Sequence, residues 1–213
     1  MVAAALLAVL SSCALLAANS GSGPAAPSAT GDEGAAGRPR VALPAPQRPR
    51  YERDQWQPHG WADEDANGCN ARAEVLLAEA VAPVSRTGVC RITAGEWEDR
   101  YTGRRVSDPT ELQIDHLVSL SDADASGGWA WPAERKVAFA NDLADPDELN
   151  AVWGPENERK ADYGPDRWLP PNPAFRCAYV AAYSRIKARR DLTVTPTQWA
   201  AIEAVRAGCG ATS

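Results

Sequence analysis

The chain of 213 residues contains 28 Asp and Glu against 22 Lys and Arg, which gives a net charge of −6. This balance argues against a uniformly basic protein that binds nucleic acid through its overall charge. The part of the chain that follows two N-terminal segments of biased composition is about 160 residues long, the size of one domain.

Residues 1–20 predict an export signal. The first 18 residues are almost wholly Ala, Leu and Val, a run too short for a comfortable membrane span but long enough for the apolar part of a secretion signal. The run Leu10-Ser-Ser-Cys13 resembles a lipobox, so lipidation at Cys13 and ordinary cleavage near residues 18–20 both stay open. We expect a secreted, extracellular protein without a stable membrane span, with a lipid anchor at Cys13 as the alternative.

Residues 21–50 predict a disordered linker. They are rich in Gly, Ser, Ala and Pro with scattered Arg, and they show neither helical nor strand periodicity. Such a composition buries too little apolar surface to offset the entropy lost on ordering. The predicted folded domain therefore spans residues 51–213, and we expect it to be a monomer.

Four elements are predicted in the first part of this domain. A helix is expected over residues 70–82, which are apolar near the centre and precede the helix breaker Pro83. Alternation of apolar and polar residues predicts a strand at 114–118, and a short apolar run predicts a second strand at 149–153. A polar helical turn is expected at 156–162.

Two further helices are predicted near the C-terminus. The first is amphipathic, with its apolar residues between 179 and 186. Its predicted solvent face is basic and carries Arg185, Lys187, Arg189 and Arg190. The last helix opens at Thr195, which can cap it, and ends at Gly208. These elements together predict an α+β class with little sheet.

Four cysteines lie in the predicted domain, at Cys69, Cys90, Cys177 and Cys209. An even number in an exported chain predicts disulfides, and three pairings are possible. We favour Cys69 with Cys90 and Cys177 with Cys209, because each pair encloses a predicted helix and the segment that leads the chain back from it. Each bond would contribute roughly 3 to 4 kcal/mol by loop entropy. A structural zinc site is the alternative, although no pair has the usual spacing of zinc ligands.

Asp115 and His116 are the candidate reactive centre. They lie on the first predicted strand, and a second strand and a helix near Asn157 follow. Phosphodiester hydrolysis needs a base that takes a proton from water and a cation that neutralises phosphate charge. His116 suits the base because imidazole titrates near neutral pH. The oxygens of Asp115 and Asn157 suit Mg²⁺ or Mn²⁺ better than zinc.

An ordered set of short motifs extends this pattern over most of the domain. The motifs are GEWEDRYTG at 95–103, IDHLV at 114–118, FAND at 139–142, NERKAD at 157–162, WLPP at 168–171 and RCAY at 176–179. This set resembles the secreted HNH endonuclease family, which is related to the HNH domains of modification-dependent restriction enzymes. The resemblance covers about residues 51–209. It implies a ββα-metal core with a short two-stranded hairpin, surrounded by helices and braced by disulfides.

The resemblance also implies roles for single residues. Asp115 matches the family's metal ligand, His116 its general base, and Asn157 the second metal ligand in an Asn-x-x-Lys element whose lysine is Lys160. The middle asparagine of the family, which braces the base, is matched by Asn141, with Asn150 as the alternative.

Two departures from the family pattern concern the closing helix. It carries no histidine, which favours two protein ligands plus waters around Mg²⁺ over a His-rich zinc site. Ala161 replaces the glycine that usually follows the lysine, so we expect a tighter turn at this position.

The basic residues of the domain are concentrated in one region. Residues 159–190 hold eight Lys and Arg against two Asp, although residues 51–213 as a whole hold 18 Lys and Arg against 26 Asp and Glu. This region predicts local nucleic-acid binding that salt weakens. The predicted contacts are Arg159, Lys160, Arg167 and Lys187. A solvated helix face beside acidic neighbours is the alternative interpretation.

These observations predict an exported, metal-dependent endonuclease of low sequence specificity that acts on DNA and, as a second substrate, RNA. A catalytically silent, disulfide-braced secreted module that binds a partner through its tryptophans is the competing hypothesis. A polysaccharide hydrolase with paired carboxylates is a third, but no spacing singles out a pair.

Overall fold

The computed structural model describes residues 38–210. The helices in this range are Ala71–Ala78 (α1), Leu120–Ala125 (α2), Ala133–Ala140 (α3), Gly154–Lys160 (α4), Arg176–Arg189 (α5) and Pro196–Arg206 (α6). The strands are Arg40–Val41 (β1), Ser85–Thr87 (β2), Arg91–Ala94 (β3), Trp97–Glu98 (β4), Arg105–Val106 (β5), Leu112–His116 (β6), Leu149–Trp153 (β7) and Thr193–Val194 (β8). The described strands form four two-stranded sheets, so the predicted α+β class with little sheet is confirmed. The predicted export signal and Cys13 lie outside the described residues.

The central sheet pairs β6 with β7 in antiparallel register, with Asp115 opposite Asn150 and His116 opposite Leu149. Helix α4 follows β7 without a loop. The two strands do not form the short hairpin that was predicted, because the connection at residues 117–148 contains α2 and α3. The site elements are therefore neighbours in space although a helical insertion separates them in the chain.

Two apolar clusters cover the two faces of the central sheet. One includes Tyr101, Val152 and Tyr179, and the other includes Ile114 and Leu149. Since successive strand residues point to opposite faces, this arrangement explains why β6 and β7 are apolar on both sides.

Helix α1 ends earlier than predicted, at Ala78 rather than Ala82. The next residues pair with another segment instead. Ala80 forms a β-bridge to Trp97 of β4, and the Val81 amide donates to the carbonyl of Glu96, which precedes β4, at 2.7 Å. Competition from this pairing ends the helix before Pro83.

Residues 38–50 belong to the folded domain, which corrects the predicted linker boundary at residue 50. Strand β1 pairs in parallel with β8, and the Arg48 guanidinium contacts the Asp124 carboxylate at 3.0 Å. Composition did not predict this order, because it comes from backbone pairing and an ion pair with distant residues.

Both predicted disulfides are present, Cys69 with Cys90 and Cys177 with Cys209. The first joins the start of α1 to the β2–β3 hairpin, and the second joins the first turn of α5 to the end of the domain. This pairing excludes a zinc site on these four cysteines. Among residues 38–210, no helix is both long enough and apolar enough to cross a membrane.

Candidate active site

Asp115, His116 and Asn157 line one cavity of about 370 Å³. The cavity lies where the end of β6 meets α4, and Arg53 and Asp162 also contribute to its wall. The three residues predicted to form the reactive centre are therefore brought together by the fold.

The ring of His116 is held in one orientation. Its side chain is 5% exposed, and Nε2 lies 2.9 Å from the Ala140 carbonyl oxygen at the end of α3. A carbonyl only accepts hydrogen bonds, so Nε2 carries the proton and Nδ1 keeps a free lone pair. The indole of Trp61 stacks on the ring, with centroids 5.4 Å apart and planes at 16°.

Burial lowers the pKa of His116 to about 3, and the nearby charges of Arg53 and Lys160 also lower it, whereas the hydrogen bond to Ala140 acts in the opposite direction. The imidazole is therefore neutral at neutral pH. Nδ1 is in the form that can accept a proton.

Asp115 is buried and already has two partners. The ammonium of Lys160 lies 2.9 Å from both of its carboxylate oxygens, and the Tyr101 hydroxyl donates to Oδ2. Burial raises the pKa of Asp115, and the charge of Lys160 and the hydrogen bond from Tyr101 counteract the rise. The carboxylate is thus oriented and partly neutralised before any ligand binds.

The carboxamide of Asn157 is oriented by a neighbour on β6. Its Nδ2 donates to Gln113 Oε1 at 2.8 Å, which turns Oδ1 away from Gln113. Within residues 38–210, Oδ1 accepts no hydrogen bond from a side chain. Asn157 can therefore offer one neutral oxygen to a ligand in the cavity.

Ala161 leaves α4 in a conformation that disfavours residues with a Cβ. Its φ is 49° and its ψ is −127°, outside the regions that L residues readily adopt. The structure thus confirms the strained turn that was expected where the family has glycine.

Asn141 does not touch His116, but it braces the neighbouring backbone. Its Oδ1 accepts from the Ala62 amide at 2.8 Å, and its Nδ2 donates to the Val137 carbonyl at 3.0 Å. It therefore ties the chain beside Trp61 to the end of α3.

Asn150, the alternative middle asparagine, lies opposite Asp115 on β7. Its side chain accepts from Arg100 at 3.2 Å and donates to the Asp147 carbonyl at 2.9 Å. Neither partner belongs to the wall of the cavity.

Two of the four predicted nucleic-acid contacts are buried. The Lys160 and Lys187 side chains are both 0% exposed. Lys187 contacts Asp122 at 2.9 Å and donates to Ser126 Oγ at 2.6 Å. These lysines were expected on the surface, and that expectation is wrong because Lys160 pairs with the buried Asp115 and Lys187 with the half-buried Asp122.

The rest of the predicted basic region is largely paired with acids. Three arginines at the C-terminal end of α5 bind carboxylates that precede β7. Arg185 binds Asp145 and Asp147, Arg189 binds Asp145 and Glu148, and Arg190 binds Asp142 and Glu148. Arg159 is 66% exposed but contacts Glu156 at 2.9 Å. Arg167 lies 3.6 Å above the Tyr163 ring and stays a predicted nucleic-acid contact. The region is therefore not a continuous basic surface.

Sequence reasoning assigned no role to three residues that support the site. Tyr101 lies in the 95–103 motif, which was noted without a role for its side chain. Trp61 lies upstream of the motifs, and no pattern in the sequence singled it out. Arg53 precedes all of the motifs, and nothing in the sequence distinguished it from other arginines.

The donor set of the cavity fits one hydrated hard cation. Within the described range, no group of three or more His, Cys, Asp or Glu could hold a metal ion, which argues against a cage made only of protein ligands. Mg²⁺ commonly keeps several waters and binds through one or two carboxylates. An ionised carboxylate has about four acceptor positions, so Asp115 retains capacity beside Lys160 and Tyr101, and Asn157 adds its oxygen.

Comparison with known proteins gives two matches of direct relevance. Residues 73–200 match the family model of the C-terminal domain of GmrSD restriction endonucleases. An "Uncharacterized secreted protein" of Arthroderma benhamiae is 35% identical over 166 residues, covering 77% of this chain and 79% of the relative. No solved structure matches.

The secreted relative and the two disulfides fit an extracellular location. The family model spans β6, β7 and α4, and with them Asp115, His116 and Asn157. The chain therefore belongs to the family of the GmrSD restriction endonuclease C-terminal domain, an HNH-type nuclease family, as its motifs indicated.

Proposed function

We propose that this protein is an exported, metal-dependent endonuclease that hydrolyses phosphodiester bonds of DNA, and of RNA as a second substrate, with low sequence specificity. The reactive centre would be a ββα-metal site made of β6, β7 and α4. The observation that carries the proposal is the convergence of Asp115, His116 and Asn157 on one cavity, with a neutral imidazole whose Nδ1 is free.

His116 would act as the general base. Nδ1 accepts a proton from a water molecule while the water oxygen forms a bond to phosphorus, and the bond from phosphorus to the 3′ oxygen breaks. The departing 3′ oxygen takes a proton from solvent water, so the products are a 5′ phosphate and a 3′ hydroxyl. The Ala140 carbonyl and Trp61 hold the ring, so the base needs little reorientation in the transition state.

Asp115 and Asn157 are the residues that would hold the cation. Bound Mg²⁺ or Mn²⁺ would neutralise charge that develops on the phosphate and on the leaving oxygen. Lys160 and Tyr101 fix the direction of the Asp115 carboxylate, and Gln113 fixes that of the Asn157 carboxamide. In this proposal Lys160 positions a ligand and does not contact a phosphate.

A plasmid-nicking assay tests the proposal. We expect cleavage with Mg²⁺ or Mn²⁺ and none with EDTA. His116→Ala should lower the rate at least 100-fold, the range for loss of a general base, while its circular dichroism spectrum shows that the variant is still folded. The matched control is His59→Ala, because His59 is the chain's other histidine and is exposed. If His116→Ala cuts as fast as His59→Ala, the assignment of the base is wrong.

No observation favours the competing binding module. That hypothesis requires accessible tryptophans, but all eight tryptophans lie within residues 38–210 and each is buried or half-buried. Several of them pack on the core, as with Trp56 against Trp131 and Phe139.

A further inference from the structure

Arg53 lies in the wall of the cavity that contains Asp115, His116 and Asn157. It comes from the N-terminal part of the domain, upstream of residues 73–200 that match the family model. The fold therefore adds a cation to the site from a segment that the family match does not include.

The guanidinium of Arg53 has no acidic partner. Within the described part of the chain it forms no ion pair, and its side-chain hydrogen bond goes to the neutral Gln57 Oε1 at 2.7 Å. Asp162 lines the same cavity without pairing with it. This sets Arg53 apart from Lys160 and Lys187 and from the arginines 185, 189 and 190, whose charges are offset by carboxylates.

The backbone of Arg53 is anchored by the same helix that holds the base. The Trp56 amide donates to the Arg53 carbonyl at 2.9 Å, and the buried Trp56 ring packs on Phe139 of α3 with centroids 5.7 Å apart. Lys136 of α3 donates to Gln55 at 2.8 Å. The carbonyl that holds His116 belongs to Ala140, at the end of α3, so one helix positions both residues.

An exposed, unpaired guanidinium beside a candidate phosphodiesterase centre suits a phosphate oxygen. Guanidinium binds phosphate through two parallel hydrogen bonds. A chain with a net charge of −6 depends on local cations to hold a polyanion. Arg53 supplies one at the reactive centre, where Lys160 is buried against Asp115.

We propose that Arg53 binds a phosphate of the nucleic-acid backbone in the active-site cavity. This inference rests on the proposed nuclease function, because it identifies a substrate contact of that same site.

Binding without divalent ions tests the inference separately from catalysis. A fluorescein-labelled DNA duplex is titrated with the protein in EDTA over a series of NaCl concentrations. We expect Arg53→Ala to weaken binding roughly 5- to 50-fold and to reduce the slope of log affinity against log salt by about 1. Arg53→Lys should keep the slope but bind more weakly than wild type, since it loses the bidentate geometry.

Arg86→Ala is the matched control, because Arg86 is an exposed arginine on β2 and its loss changes the net charge equally. If Arg53→Ala and Arg86→Ala bind alike, the inference is overturned, and plasmid nicking by both variants would leave the proposed function intact. If wild type binds through Arg53 but never cleaves with Mg²⁺ or Mn²⁺, the nuclease proposal fails and the phosphate contact stands. Absence of binding by wild type overturns the contact.

Discussion

Replacement of Lys160 by methionine tests whether this lysine is a structural partner of Asp115 or a substrate contact. The Lys160 side chain is 0% exposed and that of Asp115 is 7% exposed, and Nζ also donates to the His116 carbonyl at 2.9 Å. Lys160→Met leaves a buried carboxylate with Tyr101 as its remaining partner. Breaking a buried ion pair in this way costs about 3–5 kcal/mol, a large part of the roughly 5–15 kcal/mol that stabilises a domain.

Urea unfolding at pH 7, followed by tryptophan fluorescence, measures this cost. The double variant Lys160→Met, Asp115→Asn should recover part of the loss, because a neutral amide needs no counter-ion. Lys136→Met is the matched control: Lys136 is also buried, but its ammonium donates to the neutral Gln55 side chain, so we expect a loss of about 1 kcal/mol.

The structural role of Lys160 is refuted if Lys160→Met lowers the free energy of unfolding by less than 1 kcal/mol and instead weakens binding of duplex DNA. That result would mean that the ammonium is available to substrate and that Asp115 does not depend on it.

Two further predictions concern backbone strain and pH. Ala161→Gly should stabilise the protein by about 1 kcal/mol, because strain at a positive φ costs about 1–3 kcal/mol and the extra freedom of glycine in the unfolded chain offsets part of the gain. In the same urea assay the control Ala181→Gly, in the interior of α5, should lose about 1 kcal/mol of unfolding free energy. A loss of similar size in both variants would contradict the strain at Ala161. Burial raises the pKa of Glu148 from 4.5 to about 7, and Asp145 adds to the rise, although Arg189 opposes it. A raised pKa means that the folded state holds the proton more tightly, so this contribution to stability is complete below pH 4.5 and is lost as pH rises through 7, by up to about 3 kcal/mol. Wild type should therefore lose unfolding free energy relative to Glu148→Gln between pH 5 and pH 8, and a difference that does not change with pH would contradict the shift.

Local patterns in the sequence were enough to predict the elements that form the site. Strand β7 begins and ends at the predicted residues, and α4 follows it as expected. Alternation, helix caps and motif spacing depend on residues a few positions apart, which is why they can be read without coordinates. The turn after Lys160 was expected on another ground, because the resemblance implies a glycine where this chain has Ala161.

Charge was the property that the sequence predicted least well. The basic residues at 159–190 predicted a surface for nucleic acid, but Lys160 pairs with Asp115, and Arg190 pairs with Glu148. These partners lie 45 and 42 positions apart in the chain. Whether a charge is free or neutralised depends on packing between distant segments, and no local pattern encodes it.

The sequence by itself predicted an export signal, the pairing of the four cysteines, and the acid, imidazole and carboxamide that mark its family. Only the tertiary structure decided which basic side chains are buried in ion pairs, which carbonyl orients His116, and that residues 38–50 join the domain. The physical reason is that covalent spacing fixes what lies nearby along the chain, whereas burial and ion pairing depend on which surfaces the folded chain brings into contact.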